Sequence, residues 1–173
     1  MQEDVRAPAV CATSDLIVGF ANTGTGLTAW LTRDAGEPMV DEVDIVAARD
    51  LRAALLTLLR AHSGCVADDA EVPAAQAYLR RIAVRYPLVP QISVEGCTLV
   101  PAQTGVLGVF GAVLAAVTNL AYQGGWPRVK VCKNIACHEA FFDKTRNSSG
   151  LYCGPACGSQ VSMRAYRSRR KIA

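Results

Sequence analysis

The chain has 173 residues (18.4 kDa), 51% of them apolar, with seven cysteines and a formal net charge of +3. That composition can bury a sizeable core without disulfide staples, and the length limits it to one domain or one domain with a small appendage. The modest net charge hides a division: residues 1–127 carry eight Lys/Arg against thirteen Asp/Glu, and residues 128–173 carry ten against two. An anionic partner is therefore expected for the tail and not for the body. The N-terminus opens Gln2-Glu3-Asp4 and lacks the basic start and apolar run of a signal peptide. With an odd cysteine count, which suits a reducing compartment, this leads us to expect a cytoplasmic protein.

After about ten weakly structured residues, Leu16 to Thr23 is a short apolar run that reads as a strand or the start of a buried helix. Asn22 and Thr23 fit a side-chain-to-backbone turn or cap better than a ligand pocket. Leu27 to Leu31, with Trp30, leads into a breaker at Gly36-Glu37-Pro38. Residues 41–62 form the clearest amphipathic helix. Acidic residues fill its first turn, Ile45, Ala48, Leu51, Leu55, Leu58 and Leu59 recur at three- and four-residue steps, and Arg49, Arg52 and Arg60 fall on other faces. His62, at its end, suits a dipole or capping role. A polar loop from Cys65 to Val72 precedes a second helix, with Pro73 near N1 and apolar Ala77, Leu79, Ile82 and Ala83. Pro87 and Pro90 read as breaks, and residues 92–100 read as a β-hairpin turning at Glu95-Gly96.

No charged residue occurs from Gly96 to Pro127. The helix within it, about Gln103 to Tyr122, has the length of a membrane span. Its polar residues, its glycines at 105, 108 and 111, and the lack of a basic N-terminal flank favour a central core helix and no membrane partner. The glycines would let another element approach closely, and a groove beside the helix could admit a small ligand. Gly124-Gly125-Trp126-Pro127 divides the chain into an α-rich domain (1–126) and a C-terminal module (127–173).

The tail holds four of the seven cysteines, spaced Cys132-x4-Cys137 and Cys153-x3-Cys157. Two close thiol pairs separated by a loop-sized interval have zinc-ligand spacing. Cys11, Cys65 and Cys97 are scattered and read as small hydrophobes. Residues 128–131 alternate as a strand. Residues 140–143 read as a strand returning from the first knuckle, turning through 144–150 to an opposite strand at 151–153. Pro155 starts a helix to about Arg170 that carries Cys157 in its first turn. The fold class expected is thus α+β: an α-rich domain with a small hairpin, then a zinc finger of knuckle, hairpin and helix. Four sulfurs leave the ion no open position, so one structural Zn²⁺ is expected, not a catalytic one; His138 stands by as a substitute or supporting ligand. The finger's own apolar residues, chiefly Phe141, Phe142, Leu151, Tyr152, Val161 and Met163, are too few to fold it. Zinc binding, about 10–16 kcal/mol in small domains of this kind, would decide its fold.

The last helix carries Arg164, Arg167, Arg169, Arg170 and Lys171, of which Arg164, Arg167 and Lys171 share a face. Such a face suits a nucleic-acid backbone. The body is poor in catalytic types, and no enzyme is expected.

Together, Cys132-x4-Cys137, Phe142-Asp143-x2-Arg146-Asn147, Cys153-x3-Cys157-Gly158 and Ala165-Tyr166-Arg167-x-Arg169-Arg170 resemble the CGNR zinc finger. That finger usually follows an ABATE domain in bacterial stress-induced transcription regulators. Phe20-Ala21-Asn22-Thr23, Trp30-Leu31, the long Leu/Arg helix and the last apolar helix resemble the ABATE domain more loosely. The resemblance implies a DNA-binding regulator with a ligand-sensing body. Two other roles stay open: a finger for protein interaction or homodimerisation, and a small-molecule carrier or enzyme centred on the body. The chain departs from the signature at Ser159 and Gln160, where the family has Asn and Arg.

Overall fold

The computed structural model describes residues 6–36, 39–65 and 70–172, and the side chains among them apart from those of residues 6–9, 11, 171 and 172. In order they form α1 (Arg6–Ala21), α2 (Leu27–Ala35), α3 (Glu42–His62), α4 (Glu71–Ala83), β1 (Leu88–Ser93), β2 (Gly96–Pro101), α5 (Gly105–Tyr122), β3 (Val129–Val131), β4 (Ala140–Phe142) and α6 (Pro155–Ile172). This is the expected α+β class: a helical body with one antiparallel hairpin, β1–β2, and a second, β3–β4, beside the cysteine cluster.

The ambiguous run at 16–23 is helical, and the helix begins at Arg6, earlier than expected. Residues 6–12 are rich in alanine, and Pro8 lies in the first turn, where its missing N–H leaves no bond unmade. Ile17, Phe20 and Ala21 are buried, and the Thr23 hydroxyl donates to the Phe20 carbonyl at 2.9 Å, the turn bond expected of it. α3 buries Ile45, Ala48, Leu51, Leu55 and Leu59, as its periodicity requires. Leu58 is only half-buried. Arg52, off the apolar stripe as expected, donates from its Nε to the Ala21 carbonyl at 2.8 Å and closes the C-terminal end of α1. Pro73 lies in the first turn of α4, two residues later than N1. Residues 37–38 of the breaker and 66–69 of the loop lie outside the described residues.

α5 packs against α1, α2 and β2. It is long and apolar enough to cross a membrane, yet half of it is buried inside the protein. Phe20, Trp30, Leu31, Leu51, Leu55, Phe110 and Val113 share one core cluster, and full burial of such side chains stabilises by about 1.5–3 kcal/mol each. Of the three glycines, Gly111 permits the approach of another element expected of it, β2, whereas Gly108 makes room for the segment just before its own helix. A Cβ on Gly108 would lie 2.6 Å from the Gln103 carbonyl oxygen, and one on Gly111 2.8 Å from Pro101 Cβ.

Pro90 is not a break, because it lies inside β1 opposite Leu99. Proline cannot donate to a ladder, but at a non-hydrogen-bonded pair neither residue's backbone groups face the partner strand. The Leu99 N–H and C=O point outward and meet the Asn119 side chain, both at 2.9 Å. Asn119 thus extends the sheet from α5, and the proline costs no hydrogen bond.

The second hairpin departs from expectation in its partner. β4 pairs with β3 in the register Val129↔Phe142, Lys130↔Phe141 and Val131↔Ala140, whereas residues 151–153 form no strand. The loop at 144–150 is closed around the Asp143 side chain and not by strand pairing: Oδ1 accepts from Thr145 N–H (2.9 Å) and Oδ2 from Gly150 N–H (2.7 Å). The core of the tail also differs. Val129, Val131 and Ala140 are buried in one cluster with Ile17, Ala21, Leu59 and Leu120 of the body, while Leu151 and Met163 are about half exposed, at 47% and 51%.

Candidate metal centre

Cys132 leaves the end of β3, and Cys137 closes the turn that follows. The Asn134 carbonyl accepts from the N–H groups of both Cys137 (2.8 Å) and His138 (3.3 Å). Cys153 lies in the irregular segment after the Asp143 loop, tied to the first knuckle by the Lys133 N–H to Leu151 carbonyl bond at 2.9 Å. Cys157 lies in the first turn of α6. The four sulfurs all lie within 4.8 Å of one another, with Cys137–Cys153 at 3.6 Å and Cys153–Cys157 at 3.7 Å.

A tetrahedron with Zn–S bonds of about 2.3 Å has sulfur–sulfur edges of about 3.8 Å, so this donor set fits zinc. Desolvation of the sulfur, on a residue otherwise exposed, and its contacts with Cys137, Cys157 and Cys132 push the Cys153 thiol up. Four sulfurs so crowded need a cation to become thiolates together. The centre holds one structural zinc, coordinated by sulfur at every position. His138 is exposed, and its backbone is left-handed, with φ 57°. Its contribution is to the shape of the turn. Cys65 and Cys97 are exposed, contrary to the hydrophobe expected, and the side chain of Cys11 is outside the described residues.

Around the sulfurs lies a polar frame that composition and spacing did not reveal. Asn134, 1% exposed, donates from Nδ2 to Gln160 Oε1 (3.0 Å) and accepts at Oδ1 from Arg164 Nη1 (3.1 Å), joining the first knuckle to α6. Gln160, the departure from the signature, is therefore an acceptor inside the finger. Lys130 and Arg128 are likewise engaged within the finger. Lys130 Nζ is buried on Asp143 Oδ2 at 2.7 Å and on the Ser148 carbonyl at 2.5 Å, and Arg128 Nη1 donates to the carbonyls of Asp143 (3.1 Å) and Thr145 (2.8 Å). Burial alone would raise the Asp143 pKa, but bonds from Lys130, Thr145 and Gly150 outweigh it and hold this carboxyl well below the usual range.

The frame is fixed to the body through the outer edge of β3. The Ser63 hydroxyl accepts from Val131 N–H at 2.8 Å and lies 2.9 Å from the Val131 carbonyl. His62 Nδ1 lies 2.8 Å from the Val129 carbonyl; a carbonyl only accepts, so Nδ1 carries the proton. The His62 ring also meets Trp126 edge to face, centroids 4.9 Å apart. His62 thus bonds a strand 67 residues away, in place of the local cap expected.

Of the basic residues expected to meet nucleic acid, Arg164 and Arg167 line one groove on α6 with Ser159, Gln160 and Met163. Arg169 and Arg170 are exposed, Arg170 lying 5.9 Å from the Tyr166 ring. The side chain of Lys171 is outside the described residues.

Residues 15–122 match ABATE, described as "putative stress-induced transcription regulator", and residues 128–170 match the CGNR zinc finger. The chain belongs to the ABATE family. In this ABATE protein the finger follows the family domain in the order its residues suggested, and the four thiols of the finger are intact despite Ser159 and Gln160. Among curated proteins no match is found.

Proposed function

We propose that this protein is a bacterial cytoplasmic DNA-binding transcription regulator whose structural zinc holds α6 for contact with phosphates. The observation that carries the reading is the exposure of every residue from Ser162 to Arg170, four of them arginines, on a helix rooted in the metal centre. The body's opposite charge supports it, because an acidic body leaves only this module attractive to a polyanion. The family description points the same way. The reading assigns no catalysis to the zinc, whose ligand positions are filled by sulfur.

Gel-shift titration of the zinc-loaded full chain with duplex DNA over a salt series tests it. Five phosphates neutralised would give a log–log slope of about −4.5, and R167A/R170A together should weaken binding and flatten the slope. Absence of any shifted complex at low salt overturns the reading. Met163 and Tyr166, 51% and 50% exposed on the same helix, favour self-association as the second reading. A mass that doubles with protein concentration, and is unchanged by the arginine substitutions, would select it.

A further inference from the structure

We infer that the cleft between α3, α4 and α5 is a binding site for a small, neutral, largely apolar molecule. It has a volume of about 280 Å³ and is walled by Leu58 of α3, Leu79 and Ala83 of α4, Leu114 and Val117 of α5, and Trp126. That is close to the lower limit, about 300 Å³, of small-molecule sites, and too small for a helix of a partner protein. Leu58, Leu79, Leu114, Val117 and Trp126 are each only half-buried, so the cleft leaves a concentrated set of apolar side chains partly in water, where an occupant would remove them from it.

The lining decides the chemical class. None of its residues carries a charge. Thr118 donates its hydroxyl proton to the Leu114 carbonyl at 2.9 Å, and Tyr86 is buried edge-on against Phe110, centroids 5.1 Å apart. An ionic ligand would lose hydration here with no counter-charge to replace it. Placement adds a second point. Trp126 borders the cleft on one side and His62 on the other, and His62 holds Val129 of β3. An occupant thus rests against the support of the finger. The site is independent of the DNA-binding reading and stands or falls without it.

The test uses the zinc-loaded full chain and two fluorophores of similar shape, neutral N-phenyl-1-naphthylamine and anionic 1-anilinonaphthalene-8-sulfonate. The neutral probe is expected to bind saturably at one site per chain and more tightly than the sulfonate. A83F, at an exposed helix end, should fill the cleft and weaken binding by on the order of tenfold, and L58W should do so from the opposite wall. V84F, at an exposed neighbouring position outside the lining, should leave it unchanged. No saturable binding, tighter binding of the sulfonate, wild-type binding by folded A83F and L58W, or an equal loss in V84F overturns the inference.

Discussion

The Asn22 side chain forms two hydrogen bonds with the backbone of Ala140, 118 residues away: Nδ2 donates to the carbonyl at 3.0 Å, and Oδ1 accepts from the N–H at 2.8 Å. Ala140 is the β4 partner of Val131, which Ser63 holds from the other side. One residue pair of the hairpin is therefore gripped at both outer edges by the body, and Cys132 follows directly. Asn119 does the same for Leu99 of the other hairpin. In both cases a planar amide, with one donor and one acceptor, stands in for a neighbouring strand. Asn22→Ala should destabilise the protein by about 2–3 kcal/mol, the loss of two bonds with backbone groups left unpaired. Asn22→Asp should be at least as severe, because its second oxygen would face the Ala140 carbonyl. Urea unfolding of both variants gives the comparison, and an Asp variant as stable as wild type would refute this role.

The Lys130–Asp143 pair is buried, with side chains 9% and 1% exposed. Removing one partner of such a pair costs about 3–5 kcal/mol. Lys130→Met and Asp143→Asn should each approach that loss, and the double variant should be less unstable than their sum. Asp143→Asn should be the worse, since Thr145 and Gly150 also bond that carboxylate. The depressed Asp143 pKa makes its contribution complete above the ordinary carboxylate pKa, about 3.9, and lost as pH falls below it. Additive losses in denaturant titrations would argue against coupling.

These relationships mark where sequence stops being legible. α3 shows its buried stripe because an amphipathic helix repeats every three or four residues, and the metal centre shows itself because its ligands come in close pairs. Asn22, Ser63, His62 and Lys130 carry no such local repeat. The partners of Asn22, Ser63 and His62 lie on strands of three residues, 67 or more residues along the chain, and Lys130, a lysine inside a basic tail, looks like every other charge there. The partner of β4 is hidden in a different way. The segment rich in Asn, Ser and Gly before Gly150 looks like a hairpin turn, but its turn is built around the Asp143 carboxylate.

His62 should make stability depend on mildly acidic pH. Burial lowers its pKa most; the Val129 bond opposes that, and the charge of Lys130 adds to it. The unfolded chain takes up a proton near pH 6.5, before the folded one does. The contribution is therefore whole above about 6.5 and declines as pH falls below it, by less than about 1.4 kcal/mol per pH unit. His62→Gln keeps a donor for Val129 and removes the titration. The difference in unfolding free energy between wild type and variant should shrink from pH 7.5 to 5.5, and a constant difference would contradict the assignment.

His138 occupies a left-handed backbone position, φ 57°, which favours glycine. His138→Gly should stabilise by about 0.5–1 kcal/mol, the relieved strain exceeding the added freedom of the unfolded chain. Metal analysis should still give one zinc per chain. Seven cysteines less the four of the cluster leave three thiols to react in the native state. Loss of zinc in this variant would make His138 a ligand after all.

Gln160 tests what the departed signature does. Its Oε1 accepts from Asn134 Nδ2 at 3.0 Å, while Asn134 Oδ1 accepts from Arg164 at 3.1 Å. Arginine has no acceptor, so Gln160→Arg would unpair Asn134 Nδ2, a loss of about 1–3 kcal/mol if nothing replaces it. The same change places a positive charge in the groove shared by Arg164 and Arg167. If that groove meets phosphates, the variant should bind duplex DNA more tightly at low salt, with a log–log slope steeper by about 0.9. The thermal midpoint should fall while zinc content stays at one. A higher midpoint with an unchanged salt slope would show the opposite, that arginine at this position serves the finger's own frame and that the groove does not touch DNA.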